Sequence, residues 1–213
     1  MNEEIKSIQL PEPTLRRLPW YLAYVNMLRS QHIEYVSSTQ ISKKLNVDAS
    51  QISKDLSFLN IKGKTRIGYQ VEHLANELSV FLDFYKSHSA FMVGVGSLGS
   101  ALIQDSGLMQ YGLHIVAGFD VDEKIVGKDI CGVPIFHISE LRGKQQVYNA
   151  EIGIVAVPVE YAQQSADLLV DAGVKAIWNF TPYRIKVGDD VVIQNTSIYA
   201  HLAVMYNRLN GKK

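Results

Sequence analysis

The stretch FMVGVGSLGSALIQ, residues 91–104, decides the fold of this chain. An apolar run leads into Gly94-x-Gly96-x-x-Gly99, which we call the glycine loop, and a run with apolar residues at helical spacing follows. The first glycine permits a tight turn, the second lets a phosphate approach the backbone, and the third lets a helix pack closely on the strand. The pattern therefore predicts a strand, a loop and a helix, as at the beginning of a dinucleotide-binding domain.

An acidic residue follows at the distance that such a domain requires. The apolar run HIVAGFD ends at Asp120, 21 residues beyond Gly99. A carboxylate at this strand end accepts hydrogen bonds from the adenosine ribose and repels a 2′-phosphate, which favours NAD(H) over NADP(H). Backbone N–H groups at the start of the helix would hold the phosphates. The alternative is that the glycines serve only a close turn and that Asp120 is a solvated strand end.

Strands and helices alternate from Ser89 onward, and the strands are almost wholly apolar. This rhythm predicts an α/β fold with a parallel sheet covered on both faces. The predicted strands are 90–95, 114–120, 152–157, 175–180 and 191–195, and the predicted helices are 97–108, 138–145, 159–172 and 197–209.

The first ninety residues follow a different pattern. The sequence ISKKLNVDASQISKDL, residues 41–56, has the apolar spacing of two short helices that meet at a turn. We predict a helix at 39–45 capped by Ser38, and a second at 49–58 capped by Asp48 with Gln51 in the capping box. A helix at 14–31 precedes them, a hairpin at 60–71 follows, and a helix at 72–88 links to the next domain. This order is typical of a winged helix-turn-helix.

The charge distribution supports a nucleic-acid contact in this first part. Between residues 13 and 70 there are nine basic and three acidic residues, although the whole chain has no net charge. The second helix of the motif would face a major groove and the hairpin would carry basic tips. We expect DNA contacts from Arg16, Arg17, Ser50, Gln51, Ser53, Lys54, Lys62, Lys64 and Arg66. The alternative is a solvated basic face on a small helical domain.

Composition excludes several other classes. Cys131 is the one cysteine, so no disulfide within the chain is possible, and no cysteine-based zinc site is visible. The amino terminus lacks a signal-peptide pattern and no apolar run reaches eighteen residues, so we expect a cytoplasmic protein. The six histidines are scattered, and about 120 residues remain for the nucleotide domain. No catalytic site is visible, which argues against an enzyme.

Several segments together resemble the Rex family of redox-sensing transcriptional repressors, and the likeness covers nearly the whole chain. They are PTLRRLPWYLAYV, VSSTQI, KDLSF, GVGSLGSAL, FDVDEKIVGKDICGVPIF, AVPVEYAQQSADLLVDAGVKAIWNFTP and the final helix. The resemblance implies a winged-helix domain, a Rossmann domain that binds NADH and NAD⁺, and a carboxyl-terminal helix swapped within a homodimer. It also implies that NADH weakens operator binding and that NAD⁺ permits it.

The resemblance also assigns residues by position. It places the glycine loop (Gly94, Val95, Gly96, Ser97, Leu98 and Gly99) at the pyrophosphate and Asp120 at the adenosine ribose. Val157 and Pro158 would lie along the nucleotide, with Asn179 and Thr181 near the nicotinamide. Lys54, Lys64, Arg66 and Tyr69 would fall in the DNA-reading helix and the wing.

Some positions depart from the family pattern. Ser53-Lys54-Asp55 stands where many members have two cations before the aspartate, so the operator sequence stays open. Ser97 and Ser197 replace an Arg–Asp pair that forms in one state of the switch in some members, so that charged latch is absent.

We therefore expect three domains: a winged helix with its linker at 1–88, a Rossmann domain at 89–196 and a dimerisation helix at 197–213. The final helix carries two apolar stripes, which favour burial against a partner over packing on its own sheet alone. The expected function is an NADH-responsive repressor that binds operator DNA as a homodimer, without a metal or a membrane. The alternatives are a small NAD-dependent oxidoreductase with an accessory helical domain, and a nucleotide-binding module whose basic front end contacts protein.

Overall fold

The protein was examined as a computed structural model that describes residues 10–59 and 61–211. The chain divides into two compact units between Tyr85 and Lys86, three residues before the boundary expected after residue 88. Among the helices within the described ranges, none has the length and apolar character needed to cross a bilayer.

The amino-terminal unit is a small helical domain with a two-stranded sheet. Its core is formed by apolar side chains from all four helices, including Leu18, Ile52, Leu56 and Leu74, which are fully buried. The strands pair in antiparallel fashion, Tyr35 opposite Gln70 and Val36 opposite Tyr69. The elements are α1 Glu12–Ser30, β1 Tyr35–Val36, α2 Ser38–Leu45, α3 Ala49–Ser57, β2 Tyr69–Gln70 and α4 Val71–Phe81.

One predicted helix cap and one predicted capping-box residue are wrong. Ser37, not Ser38, caps α2, because its Oγ accepts from the Gln40 backbone N at 3.1 Å. The Gln40 side chain in turn accepts from the Ser37 N at 2.8 Å, which completes a capping box. Asp48 caps α3 as predicted, at 2.7 Å from the Ser50 N. Gln51 does not close a box there, since its amide points into the domain.

The predicted hairpin at 60–71 is also wrong in detail. Strand β2 pairs with β1, which lies upstream of the helix-turn-helix, and the wing itself is a tight turn. In this turn the Lys64 N donates to the Gly68 O at 2.7 Å. Arg66 sits at the tip with a positive φ of 65°, so the extended strand of a hairpin does not continue through it.

The second unit is an α/β domain. Within residues 86–211, seven strands form one sheet in the order β5-β6-β4-β3-β7-β8-β9, and only the β5–β6 pair is antiparallel. The strands are β3 His88–Val93, β4 Leu113–Asp120, β5 Asp129–Ile130, β6 Val133–His137, β7 Ile152–Val155, β8 Ala176–Asn179 and β9 Val192–Asn195. The helices are α5 Ser97–Gln104, α6 Ser106–Gln110, α7 Leu141–Tyr148, α8 Ala162–Ala172 and α9 Ile198–Asn210.

Both faces of this sheet are buried, as predicted. Along β3, Phe91 and Val93 belong to one apolar cluster, whereas Ala90 and Met92 belong to another. Two features of the unit were missed. Strands β5 and β6 were not predicted, and the helix expected at 97–108 is two helices because Asp105 caps a new one at the Gly107 N.

The strand order fixes where a ligand can bind. The first strand of the unit, β3, lies in the middle, with β4 on one side and β7 on the other. The chain therefore reverses its winding direction between β3 and β7. In open parallel sheets, the crevice at the carboxyl ends of two such strands is the usual ligand site.

Candidate nucleotide and DNA sites

The glycine loop joins β3 to α5 in a conformation that requires two of its glycines. Gly94 has a φ of +90°, and a Cβ built there would lie 2.6 Å from the Ala156 O. A Cβ on Gly99 would collide with the Gly94 O, so glycine is what allows α5 to pack against the loop. Gly96 faces open space, with nothing within 4 Å of its Cβ position. The backbone there is accessible to a ligand.

The start of α5 follows directly from this loop. Gly96 is its N-cap, and no side chain among the described residues caps the helix there. Ser97 and Leu98 lie in the first turn, with Leu98 partly exposed. The first N–H groups of a helix have no partner within the helix and attract anions. The loop and the helix start thus offer a phosphate site in the predicted place.

Asp120 ends β4 beside the glycine loop. Its Oδ2 accepts from the Val95 N at 2.7 Å, and its Oδ1 accepts from the Val121 N at 2.7 Å and the Asp122 N at 3.0 Å. The carboxylate is half-buried at the carboxyl edge of the sheet. Asp120 therefore lies where an adenosine ribose would meet it, although much of its hydrogen-bonding capacity is already used.

A cavity of about 500 Å³ opens at this edge, at the reversal point between β3 and β7. It brings together five of the residues predicted to bind the cofactor, and it is lined mainly by apolar side chains. The predicted residues in its lining are Gly94, Gly96, Asp120, Val157 and Pro158. The residues that the sequence analysis missed are Val93, Phe119, Val121, Ile138, Ala156, Tyr161, Gln164, Ser165 and Leu168. Their position at the carboxyl end of a strand, directly after it or in the first turns of the following helix is the sequence signal that could have found them.

Asn179 and Thr181 lie at the end of β8, outside the residues that line this cavity. Asn179 is fully buried, and its amide nitrogen donates to the Tyr183 O at 2.7 Å and to the Asn195 Oδ1 at 2.9 Å. Its Oδ1 accepts from the Thr181 N at 2.9 Å. These bonds hold the turn after β8 and join it to β9. The contact of both residues with nicotinamide stays a prediction.

In the amino-terminal unit, α3 presents a polar face to solvent. Ser50, Ser53, Lys54 and Ser57 are exposed. Lys62, Lys64 and Arg66 are exposed around the wing, and the Lys64 Nζ donates to the Tyr35 hydroxyl at 3.1 Å. Arg16 is exposed and paired with Glu12 on the same helix.

Three predicted DNA contacts lie elsewhere than expected. Tyr69 is buried in the core. Gln51 is half-buried, and its Nε2 donates to the Asp55 Oδ1 at 2.8 Å. Arg17 lies against the same carboxylate, with its Nε 2.7 Å from Oδ2 and its Nη2 2.8 Å from Oδ1. These side chains organise the domain, and the DNA contacts assigned to them stay predictions.

Asp55 is the centre of a buried polar network between α1 and α3. The side chain is fully buried, yet Tyr21 donates to it at 2.7 Å and Thr14 at 3.1 Å, in addition to Arg17 and Gln51. The sequence analysis missed this network. Its signal is the spacing of Thr14, Arg17 and Tyr21, which places all three on one side of α1.

The network sets the protonation state of its members. Burial by itself would raise the pKa of Asp55, but the hydrogen bonds from Arg17, Tyr21, Gln51 and Thr14 outweigh it and hold the pKa below its usual value. Burial and the hydrogen bond to Asp55 raise the pKa of Tyr21. Asp55 is therefore ionised and Tyr21 is a neutral donor at physiological pH.

Helix α9 is unusual because its apolar side chains face solvent. Every residue from Ile198 to Asn210 is exposed or half-exposed, and Tyr206 and Leu209 are 56% and 61% exposed. Ser197 caps the helix, its Oγ accepting from the Ala200 N at 3.1 Å. Along most of its surface, this helix has no apolar partner among residues 10–59 and 61–211.

The two units define a class of protein, a winged-helix DNA-binding domain joined to a Rossmann nucleotide-binding domain. Comparison with known families agrees with both halves. Residues 9–57 match the family described as the putative DNA-binding protein N-terminus, and residues 85–183 match the CoA binding domain family.

Full-length relatives give the particular family. A redox-sensing transcriptional repressor Rex from Bacteroides thetaiotaomicron is 56% identical over 212 residues, which cover 98% of this chain and 96% of that protein. Another from Porphyromonas gingivalis is 53% identical over 206 residues, 95% of this chain and 93% of the relative. The chain belongs to the Rex family, which confirms the resemblance noted in the sequence.

Solved structures agree. The crystal structure of RSP in complex with β-NAD⁺ and operator DNA matches with a TM-score of 0.89 and 33% identity, over 95% of this chain and 94% of that one. The crystal structure of RSP in complex with β-NADH matches with a TM-score of 0.85 and 34% identity, over 96% of both chains. The predicted fold class is confirmed, whereas the swapping of the last helix stays a prediction.

Proposed function

We propose that this protein is an NADH-responsive transcriptional repressor, which binds operator DNA and leaves it when NADH binds. One observation carries the proposal: a single chain joins a cationic helix-turn-helix face to a glycine loop with Asp120 beside it. Family membership supports it, as do the RSP complexes with NAD⁺, NADH and operator DNA. A repressor acts where the chromosome is, so the proposal includes a cytoplasmic location.

The cofactor acts here as a signal. NAD⁺ carries a positively charged nicotinamide, whereas the NADH ring is neutral. A ligand shifts a conformational equilibrium only by its difference in affinity for the two states. A charge left without a partner in an apolar site is costly, so an apolar nicotinamide site favours NADH. The difference between the two ligands is therefore expected to arise around the nicotinamide and not at Asp120.

The proposal includes a homodimer held by α9. The exposed apolar stripes of this helix, with Met205 and Leu209 on one and Tyr206 on another, call for burial on more than one side. A second copy that receives the helix would supply it. A two-fold dimer would also place two α3 helices on an inverted repeat.

An oxidoreductase is less well supported. The ionisable side chains in the cavity lining are Asp120 and Tyr161. Asp120 is held by three backbone N–H groups, and Tyr161 is 54% exposed. Asp120 is thus occupied by backbone donors, and the described lining offers no further ionisable side chain to form an acid–base pair with Tyr161. We propose that the protein is not an enzyme.

A gel-shift experiment tests the function. The full-length protein is mixed with the DNA upstream of its own gene at low salt, with NAD⁺, NADH or no nucleotide. The expected result is a shifted band without nucleotide and with NAD⁺, and its loss with NADH. Binding that is the same in all three samples would refute the redox response. Failure to bind any duplex would favour a protein-contacting module instead.

A further inference from the structure

The Asp120 carboxylate, which we expect to bind the ribose, also accepts a hydrogen bond from the glycine loop. Its Oδ2 accepts from the Val95 N at 2.7 Å, across from β4 to the turn after β3. Val95 is 4% exposed, and its side chain is fixed in an apolar cluster with Ile103 and Ile135. Because the Val95 side chain is packed in this cluster and its N–H is hydrogen-bonded to Asp120, the peptide between Gly94 and Val95 is held in one orientation. That peptide leads directly into Gly96, where the backbone is open to a phosphate.

The carboxylate has little capacity left. An ionised carboxylate offers about four acceptor positions, two on each oxygen. Oδ1 uses both of its positions for the N–H groups of Val121 and Asp122. Oδ2 uses one for Val95, so one position remains.

We propose that Asp120 is a positioning residue for the pyrophosphate as well as a ligand for the ribose. It clamps the glycine loop through Val95 and accepts from one ribose hydroxyl rather than from both. This inference rests on the proposed function and refines it. It predicts that part of the contribution of Asp120 to NADH affinity is independent of the ribose hydroxyls.

The first experiment measures binding of NADH analogues that lack the 2′, the 3′ or both hydroxyls of the adenosine ribose. Wild type is compared with Asp120→Asn. The asparagine keeps the size of the side chain but has one acceptor oxygen, so it cannot accept both from the Val95 N and from the N–H groups of Val121 and Asp122. The analogue that lacks both ribose hydroxyls is expected to bind the variant about tenfold more weakly than it binds wild type, because the substituted side chain no longer holds the glycine loop. Equal affinities would overturn the clamp.

The single deoxy analogues test the remaining acceptor position. For one of them, removal of the hydroxyl is expected to weaken binding to wild type but not to Asp120→Asn. For the other, wild type and variant should respond alike. If the contributions of both hydroxyls to NADH affinity depended on Asp120, the assignment of a single remaining acceptor position would be overturned. Asp122→Asn is the matched control, since the side chain of this exposed neighbour accepts from the Lys124 N of its own turn and from no other described residue.

A measurement on wild type needs no variant. The Val95 amide is expected to exchange with solvent at least about tenfold more slowly than in an unstructured peptide, before any nucleotide is added. An unprotected Val95 amide would refute the clamp even if Asp120→Asn failed to fold. If wild type bound neither NADH nor NAD⁺, the proposed function would fail, while the exchange of Val95 would still decide the clamp.

Discussion

At the scale of single residues, two carboxylates organise this protein. Asp55 joins α1 to α3 in the amino-terminal unit, and Asp120 joins β4 to the glycine loop in the nucleotide unit. Each belongs to a segment that the sequence analysis predicts to contact DNA or cofactor. Each is also the acceptor for several donors of its own domain. Loss of either is therefore expected to change both the fold and binding, and the experiments must separate the two.

Asp55→Asn is expected to destabilise the amino-terminal unit by about 2–4 kcal/mol. Breaking a buried ion pair costs about 3–5 kcal/mol, and the 20% exposure of the Arg17 side chain reduces this because water can reach it. Urea unfolding at pH 7 measures the effect. Asp48→Asn, at the N-cap of α3, is the control, because Asn is an equally good N-cap. Equal stability of the two variants would contradict the role of the network.

The same network predicts a dependence on pH. Because the pKa of Asp55 is lowered in the folded state, its stabilisation is complete above its unfolded pKa of about 3.9 and is lost as the pH falls through the folded pKa. The gap in unfolding free energy between wild type and Asp55→Asn should therefore be constant from pH 7 to 5 and narrow below pH 4.

Asp120→Ala tests the choice of nucleotide. Its carboxylate repels phosphate on the adenosine ribose, at the 2′ position in NADPH and at the 3′ position in coenzyme A. We expect the variant to lose about 1.5–3 kcal/mol of NADH affinity and to discriminate less against NADPH and coenzyme A. Calorimetric titration of the three ligands measures this. The ratio of affinities isolates the effect at the ribose, because a change in the glycine loop affects all three alike.

At the scale of elements, the glycine loop and the wing are short turns that the rest of each domain holds in place. Gly94 and Arg66 both have positive φ, at +90° and 65°. In the loop, this conformation leaves the backbone at Gly96 open, where we predict a phosphate. In the wing, the Lys64–Gly68 pairing carries Arg66 on an exposed tip. We therefore expect function in both elements to depend on backbone geometry as well as on side-chain type.

The two glycines of the loop give a matched pair of variants. Gly94→Ala is expected to destabilise the nucleotide unit by at least about 1–2 kcal/mol, because of its φ and the approach to Ala156. Gly96→Ala should leave stability unchanged, since its Cβ meets open space, but should weaken NADH binding at least about tenfold by blocking the phosphate. Thermal unfolding and titration measure the pair. Intact NADH binding in Gly96→Ala would show that the phosphate lies elsewhere.

In the wing, Lys64→Ala is expected to weaken binding to the operator and to unrelated duplexes by similar factors. It should also reduce the slope of log affinity against log salt by about 1, as the loss of one phosphate contact does. Fluorescence anisotropy over a salt series measures the slope. Lys124→Ala, an exposed cation in the nucleotide unit, should leave it unchanged. A loss confined to the operator would mean that Lys64 reads bases instead.

At the scale of the whole molecule, the basic front end and the bare α9 give the single chain two unsatisfied surfaces. In the proposed dimer, two bound nucleotides together supply the free energy that shifts the protein from the DNA-bound to the DNA-free state. Moving an equilibrium from 1:99 to 99:1 takes about 5.5 kcal/mol of differential binding. Two sites that act together each need about half of that, or roughly a hundredfold preference of NADH for the DNA-free state.

Deletion of residues 197–213 tests the dimer. The truncated protein is expected to be a monomer in sedimentation and to lose cooperative DNA binding. The double substitution Met205→Lys and Leu209→Lys should have the same effect without removing any residue. Asn207→Lys should preserve the dimer. A truncated chain that still sediments as a dimer would show that α9 does not hold the two copies together.

The sequence by itself determined the alternation of strands and helices around the glycine loop, the family, and the positions of Gly94, Gly96 and Asp120, because these depend on local periodicity and on motifs along the chain. The tertiary structure decided the partners. It turned Arg17, Gln51 and Tyr69 inward, paired β2 with β1, and joined Asp120 to Val95. Polar side chains of the same type serve a surface or a core equally well, and the choice depends on groups 25 or 38 residues away that supply the hydrogen bond. No local pattern contains those distances.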